Sequence, residues 1–402
     1  MLIVQKYGGT SVGSLERIEN VARRVARARE EGKDLVVVVS AMSGETNKLI
    51  EYAHHFSKNP SRREMDILLS SGERVTAALL AIALQEMGHD AIALTGRQAG
   101  IRTDSTHTYA RIEEIRTDMI QQRIEEGKIV IVAGFQGINE HGEVTTLGRG
   151  GSDLSAVALA GALKADACEI YSDVDGIYTT DPRIEPRAKK LKHISYDEML
   201  ELSSLGAKVL QNRSVELAKK MGVTIIARSS FSDDPGTIIS EEDESMEAVV
   251  VSGIALDKNQ ARVSLREVAD RPGIAAEIFN KLAEEQINVD MIIQNASKDG
   301  TTNLGFTVPQ SELERAKEAI SQGFGGEIGG ADYDENICKV SIVGVGMKSH
   351  SGIAAKAFST LAENNINIEM ISTSEIKISM VIDEKYGELA VRSLHEAYEL
   401  DK

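Results

Sequence analysis

An internal repeat near the C-terminus is the feature that most constrains how this chain can fold. Residues 273–295, GIAAEIFNKLAEEQINVDMIIQN, align without gaps to residues 352–374, GIAAKAFSTLAENNINIEMISTS, with twelve identities in 23 positions. Each copy predicts a helix that begins after a glycine and is followed by Asn and a strand. Apolar strands flank the copies at 261–265, 302–308, 338–345 and 375–382. We therefore predict two small α+β units that pair side by side, as a dimerisation module or as two related ligand sites.

The first 240 residues have a different pattern, in which short apolar strands alternate with amphipathic helices. The predicted helices include 15–31 and 63–87, and the predicted strands are 2–6, 34–40, 90–95 and 128–135. Because these strands are apolar on both faces, they are typical of a mostly parallel sheet with helices packed over it. Such sheets bind ligands at the carboxyl ends of their strands, where Lys6, Ser40 and Gly134 lie. The acidic run SEEDESMEA, at 240–248, predicts a linker between the two blocks.

The composition limits the classes of partner and the compartment. A net charge of −17 and an isoelectric point near 5.1 argue against binding to nucleic acid or to an anionic membrane. Cys168 and Cys338 lie in apolar strands with no disulfide or metal spacing, so we predict buried thiols in a reducing compartment. The N-terminus lacks the pattern of a signal peptide, and no apolar run is expected to reach membrane-spanning length. These features predict a cytoplasmic protein.

Lys6 ends the first predicted strand, just before the glycine pair Gly8 and Gly9. A cation next to glycines suits a phosphate, because glycines let backbone N–H groups approach an anion closely. The lysine precedes the glycines, so this is not the phosphate loop in which a lysine follows them. By itself the pattern fits a phosphate site and a turn with a solvated lysine equally well.

The stretch TTLGRGGSD, at 145–153, joins a predicted strand to an apolar helix. Its glycines predict a tight loop, Ser152 is a suitable N-cap, and the helix start offers free N–H groups to an anion. Arg149 has a planar fork for a carboxylate or phosphate, and Asp153 suits a cation or an ammonium group. The alternative is a surface turn in which Arg149 pairs with Asp153. We favour a binding site because glycine spacing, cap and fork coincide at one strand-to-helix junction.

Two further stretches are ambiguous by themselves. Glu73, in SSGERVTAALL at 70–80, lies at a predicted helix start, where a solvated glutamate is the usual case. YSDVDGIYTTDPR, at 171–183, carries turn signals and predicts either a surface loop or a nucleotide site. The residues of interest there, and in GAKVL farther along, are Tyr178, Asp181, Arg183 and Lys208.

Taken in order, these stretches resemble the motifs of aspartate kinases, which have the amino acid kinase fold. The matching segments are Lys6-Tyr-Gly-Gly-Thr-Ser, Ser40-Ala-Met, Gly72-Glu-Arg, Leu147-Gly-Arg-Gly-Gly-Ser-Asp and Ser172-Asp-Val-Asp-Gly-Ile-Tyr-Thr-Thr-Asp-Pro-Arg. The repeat resembles paired ACT domains, the amino-acid-sensing modules of that family. The resemblance covers essentially the whole chain and implies an α/β amino acid kinase fold, with a mostly parallel central sheet and helices on both faces. Two α+β ACT domains, ferredoxin-like, are expected to follow.

The resemblance also implies how the chain is divided. The catalytic amino acid kinase domain is expected at 1–240, and the ACT domains at 259–335 and 336–402. Between them, 241–258 is expected to hold a linker and a strand, within MEAVVVSGIAL at 246–256, that completes the second ACT unit.

The implied reaction is ATP-dependent phosphorylation of the β-carboxylate of L-aspartate. That carboxylate, with an ordinary pKa of about 3.9, is ionised at neutral pH, so the chemistry needs cations and alignment rather than a base. The resemblance implies that Lys6 neutralises the β- and γ-phosphates and that Arg149 holds the α-carboxylate of aspartate. Glu73 and Asp153 are expected to recognise the α-ammonium group. Further aspartate contacts are implied for Ser40, Thr46, Gly150, Gly151 and Ser152.

ATP binding is likewise implied by the resemblance. The expected contacts are Lys6, Tyr7, Gly8, Gly9, Ser172, Asp173, Tyr178, Asp181, Arg183 and Lys208. Mg²⁺ is expected to be held mainly by the ATP phosphates and water, with Asp153 nearby, and no dedicated protein metal site is predicted.

L-lysine and L-threonine, as end products of the pathway, are the implied effectors of the ACT pair. Matching positions are Asp270, Ala275, Asn288, Val289, Asp290, Gln294, Ile353, Ala354, Asn367, Ile368, Thr373 and Ser374. The helix starts after Gly273 and Gly352 suit α-carboxylates, and Asp270 and Asp290 suit ammonium groups. Because copy two has Glu369 where copy one has Asp290, the two sites fit different amino acids. Joint inhibition by lysine and threonine is favoured over inhibition by lysine alone.

The expected assembly is a homo-oligomer through the ACT domains, or an α2β2 assembly whose small subunit starts near Met246. The interpretation of Met246 as an ordinary methionine fits the sequence at least as well as an internal start. Competing functions are a kinase of the same fold acting on glutamate, carbamate or a nucleotide, and a non-catalytic amino-acid-binding regulator. The ACT pair and the LGRGGSD loop disfavour the first, and the intact motif residues disfavour the second. A Rossmann dehydrogenase is set aside because G-x-G-x-x-G does not follow the first strand.

Overall fold

The structure is a computed structural model that describes residues 1–204, 209–242, 250–295, 300–324 and 328–402. The chain forms two compact units. The first comprises Met1–Ile177, Lys190–Ser203 and Lys208–Asp243, and the second comprises Tyr178–Lys189, Ser204–Ala207 and Glu244–Lys402. The short segment Tyr178–Lys189, which we expected within the catalytic domain, therefore clusters with the C-terminal part of the chain.

The first unit alternates strands and helices, as predicted. Its strands are β1 (Leu2–Tyr7), β2 (Asp34–Val39), β3 (Ala91–Leu94), β4 (Ile101–Thr103), β5 (Ile112–Ile115), β6 (Ile129–Ala133), β7 (Gln136–Ile138), β8 (Val144–Thr146), β9 (Ala167–Ser172), β10 (His193–Ser195), β11 (Ile225–Ser229) and β12 (Thr237–Ser240). Its helices are α1 (Leu15–Glu30), α2 (Glu45–Phe56), α3 (Arg62–Leu69), α4 (Ser71–Glu86), α5 (Asp118–Glu125), α6 (Gly151–Leu163), α7 (Tyr196–Ser204) and α8 (Asn212–Met221).

A mostly parallel sheet organises this unit, in the order β10-β12-β11-β9-β1-β2-β6-β3. Only the β11–β12 pair is antiparallel within it. Lys6 at the end of β1 lies beside Val38 of β2 and Ile170 of β9. The carboxyl ends of the central strands therefore meet at one edge, as predicted. A smaller sheet, β5-β4-β7-β8, carries the strand that leads into the glycine-rich loop.

Helices cover both faces of the large sheet. On one face, buried residues of α1 and α4 pack against alternate residues of β1, β2 and β6. On the other face, α6 contacts β1, β2 and β9 and is buried along most of its length. A helix that is apolar nearly all round, such as α6, belongs in a core. Cys168 and Cys338 are both buried, as predicted.

The predicted helix at 63–87 is instead two helices, α3 and α4, separated at Ser70. Together they form a stretch, Arg62–Glu86, that is long and apolar enough to cross a membrane by length and composition. Our expectation that no apolar run has membrane-spanning length is therefore wrong. Half of the most apolar part of this stretch is buried inside the protein, as in the core helix of a globular domain.

The second unit contains the repeat. Its strands are β13 (Gly253–Ala269), β14 (Ile292–Asn295), β15 (Thr301–Val308), β16 (Gly330–Val343), β17 (Met370–Thr373) and β18 (Lys377–Asp383). Its helices are α9 (Ile274–Glu284), α10 (Leu313–Gly323), α11 (Ile353–Glu363) and α12 (Gly387–Ala397). The strands form one antiparallel sheet in the order β14-β15-β13-β16-β18-β17. One core packs α9 and α10 around Phe306, and a second packs α11 and α12 around Met380. The two α+β units predicted from the repeat thus lie side by side in one sheet.

Strand β13 serves both copies of the repeat. Its first part, from Gly253 to Asp257, pairs with Val343 to Lys339 of β16, and its later part pairs with β15. The register shifts between Asp257 and Gln260, next to the predicted boundary at 258/259. Of the strand predicted at 246–256, residues 246–249 lie outside the described residues and 253–256 belong to β13.

Candidate active site

Motif residues from distant parts of the sequence line one cavity of about 280 Å³ at the carboxyl edge of the large sheet. The segments after β1, β2 and β6 contribute to it, together with the start of α4 and the glycine-rich loop before α6. The lining residues are Lys6, Gly9, Ser40, Ala41, Met42, Ser43, Gly44, Thr46, Glu73, Phe135, Gly148, Arg149, Gly150, Gly151, Ser152 and Asp153. All four predicted catalytic residues and every predicted aspartate contact are among them.

Lys6 is buried, with only 9% of its surface exposed. Its Nζ lies 2.6 Å from Oδ1 of Asp153, in a charge contact without the directionality of a hydrogen bond. A Cβ at Gly8 would lie 3.3 Å from Nζ, and a Cβ at Gly9 would lie 3.1 Å from the carbonyl oxygen of Ala41. The two glycines therefore leave the ammonium group and the neighbouring backbone in close approach. The alternative of a solvated lysine in a turn is wrong for Lys6.

Asp153 lies in the first turn of α6, where the helix dipole favours a negative charge. It is 8% exposed and contacts Lys6, whereas Arg149 is exposed at the cavity rim. The alternative in which Arg149 and Asp153 pair at the surface is therefore not what forms.

The prediction that Ser152 is the N-cap of α6 is wrong. The helix begins at Gly151, and the N-cap is Gly150, with a φ of 72° and no side-chain capping bond. A left-handed turn at Gly150 brings the chain into the helix two residues earlier than a cap at Ser152 would. Ser152 then lies inside the first turn, lining the cavity.

Glu73 is not the solvated glutamate that its position suggests. It is 4% exposed in the first turn of α4, and its Oε1 accepts a hydrogen bond of 3.1 Å from the backbone N–H of Ala41. Its Oε2 has no hydrogen-bond partner among the described residues. Burial raises the pKa of Glu73 to about 7. A Cβ at Gly72 would lie 2.7 Å from the Cβ of Ala41, so this glycine allows the close approach of α4 that delivers the carboxylate.

Phe135 lines the cavity but was not predicted as a site residue. It follows β6 and has a φ of 69°, an outlying conformation for a bulky side chain. Its N–H donates to Oγ of Ser155 at 3.0 Å, and its carbonyl accepts from the N–H of Leu147 at 2.9 Å. These contacts join the end of β6 to the glycine-rich loop. Nothing in the sequence near Phe135 signals that conformation, because it is imposed by distant partners.

The predicted nucleotide contacts fall into separate parts of the chain. Ser172 ends β9 in the first unit, and Asp173 follows it, exposed. In the second unit Arg183 is largely exposed and forms an ion pair of 2.6 Å with Asp181, and Tyr178 is half-buried. Lys208 lies outside the described residues.

Tyr7 has a different environment from the other predicted nucleotide contacts. Its ring is fully buried and stacks on Tyr171, with the ring centroids 4.7 Å apart. A nucleotide contact from Tyr7 is therefore left to its backbone. The backbone N–H of Gly8 is already engaged with the carbonyl of Tyr171 at 3.1 Å.

The predicted effector residues occupy matching places in the two copies of the second unit. Gly273 and Gly352 precede α9 and α11 with φ values of 97° and 90°, a conformation that favours glycine. The remaining predicted residues are near those helix starts, in the turns after the helices, or in and after β14 and β17: Asp270, Ala275, Asn288, Val289, Asp290, Gln294, Ile353, Ala354, Asn367, Ile368, Thr373 and Ser374.

The acidic residues after the two helices are engaged across the repeat. Asp290, after α9, contacts the buried ammonium of Lys339 on β16. Glu369, after α11, contacts Arg262 on β13. Each copy thus holds its acid with a cation from the first strand of the other copy. An effector ammonium at Asp290 would share that carboxylate with Lys339.

A larger cavity, of about 450 Å³, lies between β5 and the helices α6 and α8. Its lining mixes charged residues with Leu154, Ala158, Leu217 and Met221, and none of the predicted site residues reaches it. Within the part of the chain that the structure describes, no three His, Cys, Asp or Glu side chains cluster as metal ligands.

Comparisons with known proteins agree with this geometry. The model of the amino acid kinase family matches residues 1–228, and a model of the ACT domain matches residues 264–324 and 340–398. An aspartokinase of Helicobacter pylori (strain ATCC 700392 / 26695) is 62% identical over 406 residues, covering 100% of both chains.

Two solved structures of E. coli aspartokinase III are similar along nearly the whole chain. One, in complex with aspartate and ADP in the R-state, is 25% identical with a TM-score of 0.81, and the match covers 99% of each chain. The other, in complex with lysine and aspartate in the T-state, is 25% identical with a TM-score of 0.79, covering 98% of this chain and 99% of that one.

Proposed function

This chain belongs to the amino acid kinase family as an aspartate kinase, an ATP:L-aspartate 4-phosphotransferase with C-terminal ACT domains, and we propose that its two substrates meet in the cavity between Lys6 and Glu73. The observation that supports this proposal is that every predicted catalytic and aspartate-contacting residue lines that cavity. The expected fold, with a mostly parallel sheet, helices on both faces and two ACT domains, is confirmed.

The reacting β-carboxylate of aspartate attacks the γ-phosphorus of ATP, and the bond from that phosphorus to the β,γ-bridging oxygen breaks. ADP leaves with that oxygen, and no proton has to be removed from the nucleophile because it is already a carboxylate. The chain's task is to bring one anion to another. Lys6, buried at the carboxyl end of β1, neutralises charge on the β- and γ-phosphates, and Asp153 holds the Lys6 ammonium in place.

Aspartate is recognised through the two groups that do not react, its α-ammonium group and its α-carboxylate. Glu73 accepts the α-ammonium group with Oε2, the oxygen that has no partner among the described residues. The guanidinium group of Arg149 binds the α-carboxylate through two parallel N–H donors. Contacts to the substrate carboxylates come from Ser40, Thr46, Gly150, Gly151 and Ser152. E. coli aspartokinase III, similar along nearly the whole chain, has been solved with aspartate and ADP.

ATP is the phosphoryl donor, and Gly8 and Gly9 close the backbone around its phosphates beside Lys6. The further nucleotide contacts that we propose are the backbone of Tyr7 and the residues Ser172, Asp173, Tyr178, Asp181, Arg183 and Lys208. Mg²⁺ supplies charge neutralisation on the phosphates and is carried mainly by ATP and water. Asp153, which lines the cavity beside Lys6, would lie near the ion, and its carboxylate is a suitable oxygen donor for Mg²⁺ or its bound water.

The ACT domains make this an allosteric enzyme of amino-acid biosynthesis. We propose that lysine and threonine together inhibit it, with inhibition by lysine alone as the second possibility. Lysine is supported by the T-state structure of E. coli aspartokinase III in complex with lysine and aspartate. Two different effectors are supported by the unlike acids Asp290 and Glu369 at matching places in the two copies, and we propose threonine as the second effector.

Assembly and location are also proposals. A homo-oligomer through the ACT domains, in the cytoplasm, is the form that we favour. An α2β2 assembly would need an internal start at Met246, which lies outside the described residues. A second band of the right mass that disappears in a Met246→Leu variant would support the internal start.

The first test is formation of aspartyl hydroxamate from L-aspartate, ATP and hydroxylamine, in which hydroxylamine traps the acyl phosphate. The reaction is run with no effector, with lysine, with threonine and with both. We expect activity that falls only when both are present. Activity that falls with lysine alone would favour the second possibility, and activity that neither changes would overturn both effector assignments. Absence of product from folded protein with magnesium would contradict the site proposal.

A further inference from the structure

The loop that carries Arg149 is held from outside by two side chains at the start of α8. The amide Nε2 of Gln211 donates to the carbonyl oxygen of Arg149 at 2.9 Å, and the guanidinium of Arg213 donates to the carbonyl oxygen of Leu147 at 2.6 Å. The loop between these carbonyls contains Gly148 and Gly150, with φ values of 80° and 72°. Two glycines make such a loop mobile unless its neighbours fix it.

The contacts around this loop are tight as well as polar. A Cβ at Gly150 would lie 1.9 Å from Cγ of Gln211, so the side chain of Gln211 fills the space that the glycine leaves. A Cβ at Gly148 would lie 2.6 Å from the ring of Tyr109, and the guanidinium of Arg213 covers that ring at 4.6 Å from its centroid. Arg213 also donates to the carbonyl oxygen of Ala110 at 3.1 Å. One arginine thus joins the 109–110 turn to the glycine-rich loop.

We propose that Gln211 and Arg213 are positioning residues that fix the backbone on either side of Arg149 and so hold its fork ready for the α-carboxylate of aspartate. Neither residue is in the cavity lining, so both act through the loop. Preorganisation of a binding group in this way lowers the free energy lost when substrate orders it. The inference rests on the proposed role of Arg149.

Gln211 also has a purely structural contact, which the test must separate from positioning. Its Oε1 accepts from the N–H of Arg213 at 2.9 Å and caps α8. Gln211→Glu keeps an acceptor for the cap and loses the donor to Arg149. Gln211→Met loses both the acceptor that caps α8 and the donor to the carbonyl of Arg149. The matched control is Gln85→Met, which removes an equivalent bond of 2.8 Å to the carbonyl of Ala91 away from the cavity.

We expect Gln211→Glu and Gln211→Met each to raise KM for aspartate by about fivefold to tenfold, which is the order of one hydrogen bond. KM for ATP should change by less than about twofold, and the Gln85 variant should match wild type. Arg213→Lys keeps the charge but replaces two donor nitrogens with one, so it should raise KM for aspartate similarly. Thermal unfolding checks that each variant is folded. If Gln211→Glu binds aspartate as wild type does, Gln211 is only a cap and the proposal is overturned. If Arg149→Ala itself leaves KM for aspartate unchanged, the failure belongs to the proposed function.

An independent observation concerns the segment 178–189, which the amino acid kinase model matches but which clusters with the second unit. Its Thr179 carbonyl accepts from the N–H of Ile254 on β13 at 2.7 Å, and Oγ1 of Thr179 lies 2.9 Å from Nε2 of His395 on α12. Ile184 packs against the core of the second ACT copy. The segment is thus built into the regulatory unit through buried contacts.

His395 is the most buried member of this connection, with 0% exposure, and Thr179 is 5% exposed. Burial lowers the pKa of His395, so its ring is neutral near pH 7, and Nδ1 has no hydrogen-bond partner among the described residues. Nearby, Arg187 contacts Glu185 at 3.0 Å and reaches Glu396 and Asp401 at 3.7 Å. Helix α12 and the segment are therefore joined by both buried and exposed polar contacts.

We infer that His395 is a positioning residue for the nucleotide-contacting part of this segment, acting through Thr179 on its neighbours Tyr178 and Asp181. This inference rests on the proposed nucleotide roles of Tyr178, Asp181 and Arg183.

The test replaces the imidazole ring of His395 with the side-chain amide of either glutamine or asparagine. In His395→Gln the amide reaches the position of Nε2 and keeps the contact with Thr179, whereas in His395→Asn it is one bond too short. The matched control on α12 is Glu388→Gln, which removes an exposed ion pair of 2.9 Å with Lys258. We measure kcat, KM for ATP, KM for aspartate and hydrogen exchange of residues 178–189.

We expect His395→Asn to raise KM for ATP by about threefold to tenfold, within the worth of one buried hydrogen bond, and to speed exchange in 178–189. KM for aspartate should stay within about twofold, and His395→Gln should restore wild-type behaviour. Equal behaviour of the two amides, or equal changes in both KM values, would overturn the inference. If Arg183→Ala leaves KM for ATP unchanged while His395→Asn still speeds exchange, the nucleotide assignment fails and the anchoring of the segment stands.

Discussion

Two carboxylates line the same cavity, and their surroundings differ. Asp153, at the start of α6, lies 2.6 Å from the ammonium of Lys6. Glu73, at the start of α4, accepts one backbone N–H and keeps Oε2 without a partner among the described residues. Both are buried at helix starts, and the sequence motifs suggested the same role for both. The two acids therefore differ in that Asp153 has a cation beside it, whereas no ion pair is seen for Glu73 among the described residues.

The difference teaches how one site can serve two anionic substrates. A carboxylate beside a cation can hold that cation in place, whereas a buried carboxylate with no cation beside it takes up a proton more readily. Burial accordingly raises the pKa of Glu73 to about 7. We therefore assign Asp153 to Lys6 and the phosphate side, and Glu73 to the ammonium group of aspartate. Recognition of the ammonium group by both acids, as the sequence motifs imply, is the alternative that the predictions below distinguish from this assignment.

The largest effect should come from removing the cation on the phosphate side. We expect Lys6→Ala to lower kcat by about 10²-fold to 10³-fold, because the ammonium stabilises charge as the phosphoryl group moves. KM for aspartate should change far less. Steady-state kinetics with both substrates varied will show this. Lys219→Ala, which removes an exposed ion pair with Asp197, is the control. An effect confined to KM would remove Lys6 from the transition state.

Glu73→Gln tests the assignment of Glu73 to the ammonium group of aspartate. It keeps the shape and an acceptor oxygen but loses the charge, so KM for aspartate should rise by about tenfold to a hundredfold. KM for ATP should stay within about twofold of wild type. The control on the same helix is Glu86→Gln, at an exposed position. A rise in KM for ATP instead would reverse the assignment of the two carboxylates.

Asp153→Asn should have the third largest effect. Without its counter-charge Lys6 is less well held, so we expect kcat to fall by about tenfold with little change in KM for aspartate. Asp197→Asn, on the exposed pair with Lys219, provides the comparison. Should Asp153→Asn raise KM for aspartate as strongly as Glu73→Gln does, both acids recognise the ammonium group after all.

The pH dependence of kcat/KM for aspartate should separate the two acids by a smaller effect. Ammonium binding needs Glu73 ionised, and its pKa is raised to about 7 by burial. Below about pH 7, kcat/KM for aspartate should fall by up to about tenfold per pH unit, and it should level off above. The Glu73→Gln variant should lose this dependence, and Asp153→Asn should keep it.

Stability offers the smallest and most independent check. A carboxyl group whose pKa is raised from 4.5 to about 7 on folding binds its proton more tightly when folded. Wild type should therefore lose stability relative to Glu73→Gln as the pH rises from about 4.5 to 7. Above about pH 7 the difference should be constant. Urea unfolding of the two proteins across this range measures it, and parallel stability curves would contradict the raised pKa.

Much of the fold was open to prediction from local sequence. Strands such as DLVVVV at β2 are apolar on both faces, as buried parallel strands must be, and the predicted strands of the large sheet all formed within a residue or two. The repeat predicted two like α+β units, and Gly273 and Gly352 do precede their helices. The motif order indicated which loops would meet at the carboxyl edge of the sheet. Each of these signals depends on periodicity or on backbone preferences within a few residues.

What only the tertiary structure decided depends on partners far apart in the chain. The pairing of Lys6 with Asp153, the N-cap at Gly150 rather than Ser152, and the left-handed Phe135 all follow from contacts between distant segments. So do the break between α3 and α4 and the place of residues 178–189 in the second unit. The sequence by itself determined which groups were available at the carboxyl edge. Packing decided which carboxylate met a cation and which kept an oxygen without a hydrogen-bond partner among the described residues. Burial and charge pairing depend on the whole environment of a group and not on its neighbours in the chain.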